Sequence, residues 1–99
     1  MSHLDFAVQA RKDLQEIYDY IAEEDPVAAL RVIEGIESRA QGLADNPGTG
    51  SKRDELIAAM RSAAVGNYLI FFFAITDGIE VVRVLHAKRD VAHMFGGLL

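Results

Sequence analysis

The densest run of chemically able side chains is His86-Ala87-Lys88-Arg89-Asp90, preceded by Arg83 and followed by His93. Arg61 is placed to join it across a sheet. Three arginines and two histidines on one sheet edge suit a phosphodiester backbone, with guanidinium groups clamping its charge and a histidine moving a proton. The competing reading is structural. Arg83 and Arg89 then pair with Glu80, Asp90 or acids of the helices, while His86 closes the core; residue content favours this, because structural ion pairs are common. Tyr68 and the phenylalanines at 71–73 read as core rather than base-stacking platforms, since they follow the two-residue period of a strand. The chain has no phosphate loop, dinucleotide fingerprint, His-Glu-x-x-His or Gly-x-Ser-x-Gly. With no cysteine, and His86 and His93 too far apart for ligand spacing, a metal would need carboxylates brought in by the fold. The expectation is neither metal nor cofactor.

Elements able to position these groups follow from periodicity. Leu4, Phe6 and Val8 alternate with Asp5 and Ala7, the pattern of a short strand. Leu14, Ile17, Tyr18, Ile21 and Ala22 then form one helical stripe, predicting a helix over about 8–24. Asp25-Pro26 ends that helix and starts another, with Asp25 as cap and Pro26 at the first helical position, where no N–H is lost. Ala29, Ile33, Ile36, Ala40 and Leu43 form its apolar stripe, and Asn46-Pro47-Gly48 stops it. Two helices with almost no linker predict an antiparallel hairpin. Residues 46–55 read as a surface loop.

Beyond the loop the period is two. Strands are expected over Met60–Val65, Tyr68–Thr76 and Ile79–Ala87, with Gly66-Asn67 and Asp77-Gly78 as turns. Taking Asp77-Gly78 as the centre of a type I′ turn sets a register. Phe72 then faces Arg83 and Ile70 faces Leu85, while Phe71/Val84, Phe73/Val82 and Leu69/His86 share the other face. The face with Phe71, Phe73, Val82 and Val84 is expected to pack on the helices. The other is also apolar and needs cover, from residues 88–99 and from a partner.

Length and composition bound the function. Ninety-nine residues, 51% hydrophobic and 25% charged, fit one domain over 1–99 with one core. The first residues show no basic region followed by an apolar one, so no secretory leader is expected, and the longest apolar run, Tyr68–Ile75, is far short of the ~20 residues of a membrane helix. The expected setting is cytoplasmic, away from membranes. A net charge of −5 speaks against strong nonspecific nucleic-acid binding. The charge is uneven: residues 1–50 hold four Lys/Arg and ten Asp/Glu, residues 51–99 six and five. An acidic, solvated helical face explains it most simply, and two faces with different partners would also do so.

Four stretches follow one another along the chain: Ala10-Arg11-Lys12-Asp13-Leu14 with Ile17-Tyr18-Asp19-Tyr20-Ile21; Ala44-Asp45-Asn46-Pro47-Gly48-Thr49-Gly50; Met60-Arg61 with Gly66-Asn67-Tyr68-Leu69-Ile70-Phe71-Phe72; and Ile79 through Asp90. In this order, on a strand–helix–helix–strand–strand–strand plan, the chain resembles the RelE/ParE toxin superfamily of bacterial toxin–antitoxin modules, in its ParE-like, plasmid-stabilisation branch. The resemblance implies an α+β fold with an N-terminal strand, a helical hairpin, a three-stranded antiparallel sheet and a short C-terminal segment. It also implies a toxin in a hetero-oligomer with a cognate ParD-like antitoxin, whose C-terminal segment wraps it. The implied target is DNA gyrase, inhibited by binding without a catalytic site, with Arg61, Tyr68, Phe72, Arg83, His86 and Arg89 as partner-binding candidates. The alternatives are a ribosome-dependent mRNA endonuclease using Arg61, Arg83, Arg89 and His93, and a non-toxic antitoxin-binding homologue. Two departures weaken the nuclease. Tyr68 stands where such relatives usually carry a basic residue, and Phe95 stands near the place of their catalytic Tyr or His. Ala7 replaces a frequent Ser cap at the first helix.

Overall fold

The computed structural model describes residues 2–96. Strand β1 (His3–Phe6) leads into helix α1 (Val8–Ala22) and helix α2 (Pro26–Asp45). A 3₁₀ turn at Pro47–Thr49 precedes strands β2 (Ser51–Lys52), β3 (Arg61–Val65), β4 (Tyr68–Ile75) and β5 (Gly78–His86), and helix α3 (Val91–Gly96) follows. The sheet order is β1-β5-β4-β3-β2, with β1 parallel to β5 and every other pair antiparallel. The α+β class and the element order are as the sequence predicts. The sheet is larger than expected, because β1 joins it and Ser51–Lys52, inside the predicted loop, adds a short edge.

The caps explain the helix boundaries. Asp25 Oδ1 accepts the Ala28 N–H at 3.0 Å, and Pro26 opens α2. Ala7 has the extended backbone of an N-cap but a side chain that accepts nothing, so α1 starts uncapped. Of the predicted α2 stripe, Ala29, Ile36, Ala40 and Leu43 are buried and Ile33 half-buried.

The β4–β5 register differs from expectation. Ile75 faces Gly78, so Thr76-Asp77 makes the turn, and neither they nor Gly78 has positive φ. Asp77-Gly78 is therefore not a type I′ centre. Gly78 serves a different need: a Cβ there would lie 1.7 Å from the His3 carbonyl oxygen, so its bareness lets β1 close on β5. Phe72 pairs with Val81 and Phe71 with Arg83, leaving Val82 as a bulge between them. Beyond the bulge the register is one residue from that predicted, which exchanges the faces of Val84 and Leu85.

The helices consequently cover the opposite face of β4 from the one expected. Ala10, Ile36, Ala40 and Leu43 meet Ile70, Phe72, Ile79, Val81 and Val84. The second face is covered from within the chain. Met60, Phe71, Leu85 and Phe95 form another cluster, flanked by Leu56, Ile57, Val91 and Met94. Its lid is the segment 53–60, closed by an Arg53 N–H to Met60 O hydrogen bond of 2.7 Å. Within it Asp54 Oδ1 accepts the Ala59 N–H at 2.8 Å, holding Ala59 at φ 68°. α3, within residues 88–99, supplies part of this cover as expected, and the segment 53–60 takes the share expected of a partner. No helix among the described residues is long and apolar enough to cross a membrane.

Candidate functional site

A cleft of about 650 Å³ opens between α1 and the end of β5. Along α1, Gln9, Asp13, Glu16, Ile17 and Tyr20 recur at helical spacing and form one wall. Tyr68 of β4, the Arg83–His86 end of β5, Arg89 and Met94 form the other. Four partner-binding candidates converge here: Tyr68, Arg83, His86 and Arg89. Arg61 and Phe72 do not line it, nor does His93.

Beneath the cleft lies a closed polar network. Arg83 donates through Nε to Asp13 Oδ2 at 2.8 Å and through Nη2 to Oδ1 at 3.0 Å. The same carboxylate accepts the Val84 N–H at 2.9 Å and the Gln9 side-chain amide at 3.3 Å. Both ions are almost wholly buried, with side chains 10% and 5% exposed. The predicted pairing of Arg83 with Phe72 would put its guanidinium at the rim of the apolar patch, within reach of a partner; the fork on Asp13 corrects that placement. The acid belongs to α1, as the structural reading of Arg83 expects, although that reading did not single out Asp13 among the acids of the helices. The signal was present: Asp13 falls on the inward stripe with Ala10 and Ile17, where an acid needs a partner.

The other candidates differ in freedom. Tyr68 and His86 meet edge to face with ring centroids 5.3 Å apart, and His86 Nδ1 accepts the Lys88 N–H at 3.1 Å. Burial raises the Tyr68 hydroxyl above its ordinary pKa, and Tyr20 nearby pushes it the same way, so it stays neutral at neutral pH. Arg89 is exposed. Arg61 Nη1 donates to Gly50 O at 2.7 Å, out on β3. Phe72 is 0% exposed beneath the helices, so it holds the fold and cannot meet a partner directly. His93 is exposed on α3, its backbone N–H bound to Asp90 Oδ1 at 3.2 Å. Phe95 is 1% exposed and packs edge to face on Phe71 with centroids 4.7 Å apart. Among the described residues, no group of three or more His, Cys, Asp or Glu could hold a metal ion. The cleft combines the closed Asp13–Arg83 pair and apolar Ile17, Val84, Leu85 and Met94 with charged and aromatic side chains, a composition suited to recognition of a molecular surface.

Comparison with known proteins agrees with this architecture. Toxin RelE2 of Caulobacter vibrioides is 30% identical over 90 residues, covering 90% of this chain and 99% of that one. Toxin ParE1 of the same organism is 27% identical over 88 residues, covering 87% and 91%. Among solved structures, the chromosomal ParDE TA system from P. aeruginosa superposes with a TM-score of 0.72 at 22% identity, covering 87% of this chain and 96% of that one, which shows a shared fold. The profile of the ParE toxin of type II toxin-antitoxin system, parDE, matches residues 4–91. The chain therefore belongs to the ParE toxin family of type II toxin–antitoxin systems.

Proposed function

We infer that this toxin acts by binding DNA gyrase and is held in check by a cognate ParD-like antitoxin in a hetero-oligomer. The observation that supports a binding mode is Phe95. It occupies the region where nuclease relatives place a proton-transferring Tyr or His, and it is buried against Phe71. A phenyl ring neither accepts nor donates a proton. Two supposed phosphate clamps are also engaged elsewhere, Arg83 by Asp13 and Arg61 by the Gly50 carbonyl. The antitoxin enters by analogy with the P. aeruginosa neighbour, which is described as a ParDE TA system. A supercoiling assay with purified gyrase tests the target: inhibition at stoichiometric toxin is expected, and undisturbed supercoiling at excess toxin rejects it.

The ribosome-dependent nuclease is kept as a second reading because RelE2 is as similar as 30%. Message cleavage in a translating extract, abolished by Arg89→Ala, would establish it in place of gyrase. Absence of growth arrest on expression without antitoxin would leave a non-toxic homologue.

A further inference from the structure

The sheet leaves stretches of strand edge without a neighbouring strand among the described residues. One is the outer side of β1, the terminal strand of the order. Another is β5 beyond Val81, where its pairing with β1 stops. The last is β3 beyond Ser62, where its pairing with β2 stops. Open edges of this kind template pairing with another chain, because a row of N–H and C=O groups is left unspent.

On every one of these stretches a helix side chain has already taken a backbone group. His3 and Ala7 turn their N–H groups to Asp77 O and Val81 O, so alternation along β1 turns Ser2, Leu4 and Phe6 outward. Phe6 O accepts from Arg11 Nε at 3.1 Å, and Ser2 O accepts from the Gln41 amide at 3.4 Å. On β3, Met60 O accepts the Arg53 N–H, which sets Met60, Ser62 and Ala64 toward the β2 side. Ala64 O, beyond the end of β2, accepts from Arg39 Nε at 3.4 Å. On β5 the Val84 N–H goes to Asp13. Arg11 and Asp13 belong to α1, Arg39 and Gln41 to α2. Lys52, opposite Arg61, adds like charges where β2 forms the edge.

We propose that the helical hairpin guards the sheet: Arg11, Asp13 and Arg39 keep its open edges from pairing with those of a second copy of this chain. The unbound toxin therefore does not associate through its strands. A guanidinium on an edge carbonyl acts twice. It occupies an acceptor that an added strand needs, and it sets its charge against the same charge of the copy in any symmetric pairing of that edge. Asp13 occupies a donor instead. Arg11 is exposed and Arg39 half-buried, so their truncation opens an edge without opening the core.

The test is analytical ultracentrifugation of the full chain over a range of concentrations, with amide hydrogen exchange at Leu4, Phe6 and Ala64. Arg11→Ala and Arg39→Ala should each lower the dimer dissociation constant about tenfold, the worth of one backbone acceptor returned to strand pairing. Exchange should then slow with concentration, at Leu4 and Phe6 in the first variant and at Ala64 in the second. Adding Ala64→Pro to Arg39→Ala removes the edge donor and should restore the original constant, which separates strand pairing from misfolding. Arg31→Ala, exposed on α2 and bound to no backbone carbonyl among the described residues, should change nothing. Association no stronger in either variant than in the unmutated chain overturns the guard. So does association that leaves the edge amides exchanging as fast as in dilute solution, or that survives Ala64→Pro. An equal rise in Arg31→Ala also overturns it, as an effect of lost charge. Edge amides that slow with concentration in the unmutated chain overturn it too, since the edges are then open.

Discussion

Removing either partner of the Asp13–Arg83 pair strands a charge in a site almost closed to water. Asp13→Ala or Arg83→Ala should cost about 3–5 kcal/mol, measured by urea denaturation. The larger share comes from the orphaned partner, so the double variant should lose less than the sum of the singles. This differs from the outcome expected for a rim arginine, which folds normally and loses only partner affinity. Tyr68 gives a second test. Because its pKa is raised in the folded state, its contribution is complete below the ordinary value of 10.0 and is lost as pH rises through it. Tyr68→Phe should remove that part of the alkaline destabilisation, seen as a smaller fall in melting temperature above that pH.

At the scale of elements, the ends of helices and strands offer sharper tests than their middles. Ala7→Ser supplies the missing acceptor at an N-cap whose backbone is already extended, and should raise stability by about 0.5–1 kcal/mol in thermal denaturation. Gly78→Ala should cost about 3 kcal/mol, because the methyl group collides with the His3 carbonyl and forces β1 off β5. Residue order already disclosed much of this scale. Asp25-Pro26 marked the helix junction, and alternation from Arg61 onward marked the hairpins, since caps and periodicity are local. The β4–β5 register was not legible from Asp77-Gly78, because Gly78 answers to a strand about 75 residues away in sequence and not to its own turn. The bulge at Val82 escaped for the same reason: its neighbours settle it across the sheet.

For the whole molecule, the two faces of one sheet carry two separate apolar clusters. The first joins the helices to the sheet. The second depends on α3, within the residues 88–99 expected to contribute, and on the lid at 53–60, a short piece with no strong periodicity whose share of the cover was assigned to a partner. Phe95→Ala should cost about 3–5 kcal/mol and loosen α3, which hydrogen exchange at 91–95 would register as faster than in the helical hairpin. Of the cleft, Tyr68, Arg83, His86 and Arg89 could be named from the sequence as a basic and aromatic group. Of the α1 wall only Asp13 left a trace, an acid on an inward stripe, because which side of α1 faces the end of β5 is settled by tertiary packing.

The pairing of Asp13 with Arg83 also has a consequence in time. Seventy positions separate the two residues, and at about 5–20 residues per second a ribosome needs about 4–14 s to travel between them. Through that interval α1 can form while its inward carboxylate has no cation, and β1 has no strand to join. A chain interrupted before residue 83 thus holds the complete helical hairpin but neither the pair nor the cleft above it. The cleft itself is confined to chains whose synthesis is nearly finished.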